Sequence, residues 1–167
     1  MLGGTLPPVS DDQLQFGSDS WYPVGEYEMV IQTVYENPLG QTSDGKPFNG
    51  YQNTDGEQIS LQVGDFVPIN GSTSPPGNNK AFIKICLRDG DMDITQVDPG
   101  DRSYRQLAQG LRKIHALAQV LGEEPSVEFV KALSEGHFNG ARLGASWQKW
   151  SNNGKSGSFV KKFFSLR

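Results

Sequence analysis

Positive charge and flat rings crowd the last part of the chain. Residues 140–167 hold six cations, Arg142, Lys149, Lys155, Lys161, Lys162 and Arg167, without a single acid, and among them stand Trp147, Trp150, Phe159, Phe163 and Phe164. Cations hold phosphates while unstacked bases lie on aromatic faces, so this mixture has the chemistry that a single nucleic-acid strand requires. The rest of the chain sharpens the asymmetry. Residues 1–79 carry ten acids against Lys46 alone, and residues 80–139 carry eight bases and nine acids. The net charge of −4 therefore conceals a basic end on an acidic body.

Other groupings that could do chemistry fail on spacing. Gly154-Lys155-Ser156 ends like a phosphate loop, but Lys149 stands where the first glycine is required and the segment joins two predicted strands. Asp89, Asp91 and Asp93 open like a calcium loop, yet Ile94 occupies the glycine position and Gly100 that of the closing glutamate, so a polar turn accounts for them better. His115 falls within a predicted helix and His137 in a glycine-flanked loop; with only Cys86 beside them they make no zinc set. No nucleophile, base and orienting group share a local motif. The reading is a non-enzyme, with no catalytic residue, metal or cofactor.

Elements must position the basic, aromatic residues, and composition bounds what those elements are. A chain of 167 residues suits one domain with tails, and Gly 20 with Pro 10 predicts short strands, many turns and some long loops. A lone cysteine makes no internal disulfide, no N-terminal run has the form of a signal peptide, and no segment reaches the roughly 18–20 apolar residues of a membrane span. A cytoplasmic protein with no membrane partner is expected, and Asn70-Gly71-Ser72 then reads as a turn rather than a glycosylation site.

Residues 1–20 lack periodicity and are read as a flexible arm, leaving 21–167 as the folded domain. From Tyr22 the run YPVGEYEMVIQTVYE alternates, with Tyr27, Met29, Ile31, Thr33 and Tyr35 on one face and Val30 and Val34 on the other. Residues 37–56 form a long polar loop whose only large apolar groups are Phe48 and Tyr51. A second strand covers 58–67, with Ile59, Leu61 and Val63 on one face. The third covers 80–88, with Ala81, Ile83, Ile85 and Leu87 inward and Phe82, Lys84, Cys86 and Arg88 outward. The period then changes to 3.6: Tyr104, Leu107, Leu111, Ile114, Ala118 and Leu121 predict a long helix over 103–121, opened by a Ser103–Gln106 capping box and stopped by Gly122. A short helix follows at 127–134, capped by Ser126. Strands at 141–150 and 158–166, joined by the loop 151–157, complete the chain. Direct alternation on the last strand sets Phe159, Lys161 and Phe163 against Val160, Lys162 and Phe164. Trp147 and Phe164 are expected in the core and Trp150 accessible.

Three strands, a helix and two strands is the order of the OB-fold, so the predicted class is mainly β with one long helix: a five-stranded OB-like Greek-key barrel with the helix between strands three and four. In that fold the second and third strands, the first long loop and the last hairpin loop meet oligonucleotides. The corresponding residues here are Lys84, Arg88, Lys149, Lys155, Lys161 and Lys162 for phosphates, and Phe82 and Trp150 with Phe48 or Tyr51 for bases.

The segments WYPVGEYEMVIQ, RSYRQLAQGLRKIHALAQVLG and ARLGASWQKW…SGSFVKKFF resemble a family of phage proteins that look like OB-fold single-stranded DNA-binding proteins, the likeness covering roughly residue 21 to the end. The resemblance implies binding of single-stranded DNA with little sequence preference, in phage replication or recombination, in the host cytoplasm and alongside phage replication or recombination proteins. This chain differs from bacterial single-strand-binding proteins in ending Ser165-Leu166-Arg167 instead of in an acidic tail. The alternative from another class is a protein-interaction or virion-associated β-barrel protein without nucleic-acid binding.

Overall fold

The structure is a computed structural model and describes residues 3–8, 21–39, 55–75 and 79–166. The period-two segments form strands β1 (Gly25–Pro38), β2 (Gly56–Ile69), β3 (Lys80–Asp89), β4 (Met92–Asp93), β5 (Arg142–Asn152) and β6 (Lys155–Phe164). Helices α1 (Arg105–Leu121) and α2 (Val127–Ser134) lie between β4 and β5. The strands make one antiparallel sheet in the order β4-β3-β2-β1-β5-β6. On its inner face Ile59, Leu61 and Val63 of β2 sit opposite Ile85, Ile83 and Ala81 of β3. They pack with Tyr27, Met29 and Ile31, with Leu143, Ala145 and Trp147, and with Ile114, Leu117 and Ala118 of α1.

Helix ends follow their local chemistry. Gly122, at φ 74°, takes the left-handed conformation that ends α1, and the Ser126 hydroxyl accepts the Phe129 N–H at 3.1 Å to cap α2. The expected Ser103–Gln106 box does not form. Asp101 Oδ1 accepts the N–H groups of Ser103 and Tyr104 at 2.7 and 2.8 Å instead, so the turn preceding the helix is held by a carboxylate two residues upstream of the predicted cap.

The barrel is not closed. No ladder joins β3 to β6 among the described residues, and the sheet stays open with a sixth, two-residue strand paired to the end of β3. The physical reason is α1, which occupies the edge of β3. A Cβ on Gly110 would stand 2.2 Å from the Cys86 carbonyl oxygen, so only glycine lets the helix come this near. The Lys113 ammonium donates to the Lys84 carbonyl at 2.8 Å, serving a strand-edge acceptor with a side chain. The same contact buries Cys86, assigned to the outer face, in a second cluster with Leu39, Val97, Leu107 and Ala108.

β1 extends to Pro38 and β2 begins at Gly56, where the Leu39 N–H donates to the Gly56 carbonyl at 3.1 Å. Residues 40–54, with Phe48 and Tyr51, lie outside the described residues, as does the arm apart from the exposed residues 3–8. The last hairpin is tighter than expected: the strands continue to Asn152 and from Lys155, leaving only Asn153 and Gly154, whose φ values of 52° and 77° suit a two-residue turn. Among the described residues no helix is long and apolar enough to cross a membrane.

Candidate nucleic-acid interface

The pairing of β6 with β5 decides which of its residues face solvent. Ser146 stands opposite Lys162 but Trp147 opposite Val160, so Lys161 is the extra residue of a bulge. Strict alternation is broken there. Val160 and Phe163 both pack against the core, while Lys161 and Lys162 are both exposed. Phe164, expected in the core, is only half-buried. It pairs with Gly144, which lies between the inward Leu143 and Ala145 and so faces outward, and the ring fills the space that a Cβ on Gly144 would need. Trp147 is in the core as expected, 4% exposed, with its ring 6.2 Å from that of Phe66. Its indole N–H has no acceptor among the described residues. Trp150 is half-buried and lies across Gly157, where an added Cβ would come within 2.9 Å of the indole.

β1 departs from strict alternation too. Slips in its register with β2 follow Glu28 and Ile31, so Val34 joins the core and Tyr35, expected on the same face as Tyr27, Met29 and Ile31, turns out beside Ser60. Opposite residues share a face, which places Tyr35, Gln62, Phe82, Lys84 and the fully buried Ser60 together on the outer face of β1, β2 and β3. Phe82 is 38% exposed, its ring 6.4 Å from that of Tyr35 and 5.9 Å from the Lys80 ammonium. Lys84 is half-buried, and burial lowers its pKa to about 8.

Arg88 is the predicted site residue most altered by its surroundings. Its guanidinium lies 3.4 Å from Asp55 and 3.8 Å from Glu57 and donates to the Gly90 carbonyl at 2.7 Å. Two carboxylates meet the charge intended for a phosphate. Lys149 and Lys155 are exposed on the β5–β6 hairpin, which the Tyr22 and Ser156 hydroxyls tie to the start of the domain at 2.9 Å.

Among the described residues, two depressions border β6. A cleft of about 660 Å³ separates it from α1, lined by Gln109, Arg112, Lys113 and Ala116 of the helix and Phe159–Phe163 of the strand. A hollow of about 530 Å³ lies between the start of β3 and the hairpin, lined by Lys80, Phe82, Trp21, Tyr22, Trp147 and Ser158 among others. Ser158 borders one and Phe159 the other, so the two follow one another along β6. Arg112, Lys113, Lys161 and Lys162 line the cleft and Lys80 the hollow, and no acid lines either. Burial, and then the neighbouring Arg112, hold the Lys113 pKa below the ordinary lysine value. Phe159, 45% exposed, lines the cleft with its four cations.

The structure thus brings Phe82, Lys161 and Lys162 to one seam, leaves Lys149, Lys155 and Trp150 on the adjoining hairpin, and withdraws Arg88 into ion pairs. Arg112, Lys113 and Lys80 are seam residues that sequence reasoning passed over. For the helix pair a signal existed: Gln109, Arg112, Lys113 and Ala116 recur at i, i+3, i+4 and i+7, a stripe beside the buried one. Asp89, Asp91 and Asp93 belong to the β3–β4 turn, where Asp93 Oδ1 accepts the Thr95 N–H at 2.7 Å. No protein-family model matches the sequence, and comparison with curated proteins yields no significant match.

Proposed function

We propose that this protein binds single-stranded DNA along the seam between β3 and β6, with an affinity set mainly by phosphate contacts. The observation that carries the reading is the lining of the two depressions: five cations and several rings, without one carboxylate, in a chain whose acids outnumber its bases. Arg112, Lys113, Lys161 and Lys162 neutralise phosphates, Phe159 and Phe82 offer faces to bases, and the hairpin with Lys149, Trp150 and Lys155 extends the track. No bond is broken. The open sheet, whose five longer strands run in the order β3-β2-β1-β5-β6, supports reading the fold as an OB-like barrel left open between its third and last strands, and the OB-fold is a partly open barrel that meets oligonucleotides through its second and third strands. The resemblance of residues 21–167 to phage single-stranded DNA-binding proteins supports the same activity and assigns it to phage replication or recombination.

The test is fluorescence anisotropy with labelled single-stranded DNA, RNA and duplex over a range of salt. Single-stranded DNA should bind most tightly, with log Kd rising linearly in log salt by about 0.7 per phosphate neutralised. Binding that is absent, or equal for duplex and single strand, would overturn the proposal and favour a protein partner for the same face.

A further inference from the structure

The outer face of β1, β2 and β3 carries polar groups as ordered as its rings. Gln62 stands directly opposite Phe82 across the β2–β3 pair. Its carbonyl oxygen accepts the Tyr35 hydroxyl at 3.4 Å and its Nε2 donates to Gln32 Oε1 at 2.7 Å. Gln32 follows Ile31 at the slip in the β1–β2 register, and its amide lies over Gly64, where an added Cβ would fall 2.3 Å from Nε2. The bulge, the glycine and the two hydrogen bonds hold both amides in place, and each keeps an N–H and an oxygen lone pair for a ligand. Tyr35 and Phe82, 37% and 38% exposed, flank this pair with their rings 6.4 Å apart.

A fixed amide beside an exposed ring has the chemistry to read the edge of a stacked base, since C=O accepts and N–H donates side by side. Resting on the strand-binding reading above, we infer that the Tyr35–Gln62–Gln32–Phe82 cluster is an adenine-preferring subsite. Adenine places its N6 amino donor beside an acceptor on both of its edges, N1 on one and N7 on the other, so it meets the amide whichever way up it lies on the ring. Guanine offers two acceptors, O6 and N7, on the second edge. Each pyrimidine has one suitable edge and a smaller stacking face. The phosphate contacts of the seam supply affinity for any sequence, and this cluster adds a local preference.

Oligo(dT) and the same oligomer with one to three central dA, dG or dC replacements distinguish the two layers. The dA oligomers should bind about fivefold or more tightly than oligo(dT), and Gln62→Met with Gln32→Met should bring the dA oligomers down to the level of oligo(dT) while the thermal midpoint stays close to that of the parent. Equal binding of dA and dT oligomers would overturn the subsite and leave strand binding standing. An equal gain from dG would overturn the amide reading, assigning the preference to purine stacking. Failure to bind any oligomer would overturn the strand-binding reading and the subsite with it.

Discussion

At the scale of the residue, three titrating groups meet at the edge of β3 and give the fold a pH signature. Burial lowers Lys84 to about 8 and depresses Lys113, while burial and the nearby Asp89 raise Cys86 to about 11. Between pH 8 and 10.5 the unfolded chain holds a Lys84 proton that the folded one has released, so Lys84 makes stability rise with pH, and the lowered Lys113 acts in the same sense. Between 9 and 11 the folded chain keeps a thiol proton that the unfolded chain has lost, so Cys86 makes stability fall. Urea midpoints should therefore climb from pH 8 to 9 and flatten above it, and Cys86→Ala should let the climb continue toward pH 10, above which the Tyr27 hydroxyl, raised by burial, opposes it. A midpoint falling from pH 8 to 9, or a Cys86→Ala profile parallel to that of the parent, would contradict this assignment. Much at this scale was open to sequence reasoning: an alternating strand sends Phe82 and Lys84 outward whatever lies beyond it. Arg88 follows the same alternation, but its neutralisation depends on Asp55 and Glu57, carried to it by the pairing of β2 with β3.

The elements owe their placement to close approaches that alternation does not reveal. Gly110 admits the Cys86 backbone to α1, and Gly144 admits the Phe164 ring to the outer face of β5. The two sites differ in what must yield. A Cβ at Gly110 would stand 2.2 Å from a carbonyl oxygen of a paired strand, which cannot turn away, whereas one at Gly144 would meet a half-buried side chain near the C-terminus. Gly110→Ala should therefore destabilise by about 1–3 kcal/mol or more, and Gly144→Ala by less, as read from urea unfolding. If Gly144→Ala proves the costlier, the Phe164 ring rather than the β3 edge is the fixed partner. The same reasoning explains which elements the sequence made legible. Period two located the five longer strands and period 3.6 the helix, because apolar spacing follows from one face being buried. The slip after Ile31 and the bulge at Lys161 were hidden, since an extra residue changes the facing of all that follow without changing composition.

At the scale of the whole molecule, the question is where the charge asymmetry becomes a surface. Sequence order joined the basic end to one hairpin, but the open seam divides it: Lys161 and Lys162 join Arg112 and Lys113 at the cleft, while Lys149 and Lys155 stand on the projecting hairpin. That division was invisible beforehand because it depends on α1 lying where a closed barrel would have paired β3 with β6. It also separates two electrostatic roles. Charges around a half-enclosed cleft hold bound phosphates and displace their counterions, whereas exposed charges at a hairpin tip act chiefly on the approach of the strand. Lys161→Glu with Lys162→Glu should thus flatten the dependence of log Kd on log salt by at least about 1.4, two phosphate contacts at roughly 0.7 each. Lys149→Glu with Lys155→Glu should slow association several-fold in stopped-flow mixing at low salt and change that slope less. All four lysines are exposed, so both variants should fold like the parent, and thermal melts check this directly. If the hairpin pair flattens the slope and the cleft pair does not, the strand runs over the hairpin and outer sheet and the cleft is ordinary basic surface. If neither pair alters slope or rate, phosphates are held elsewhere and the seam loses its claim as the interface.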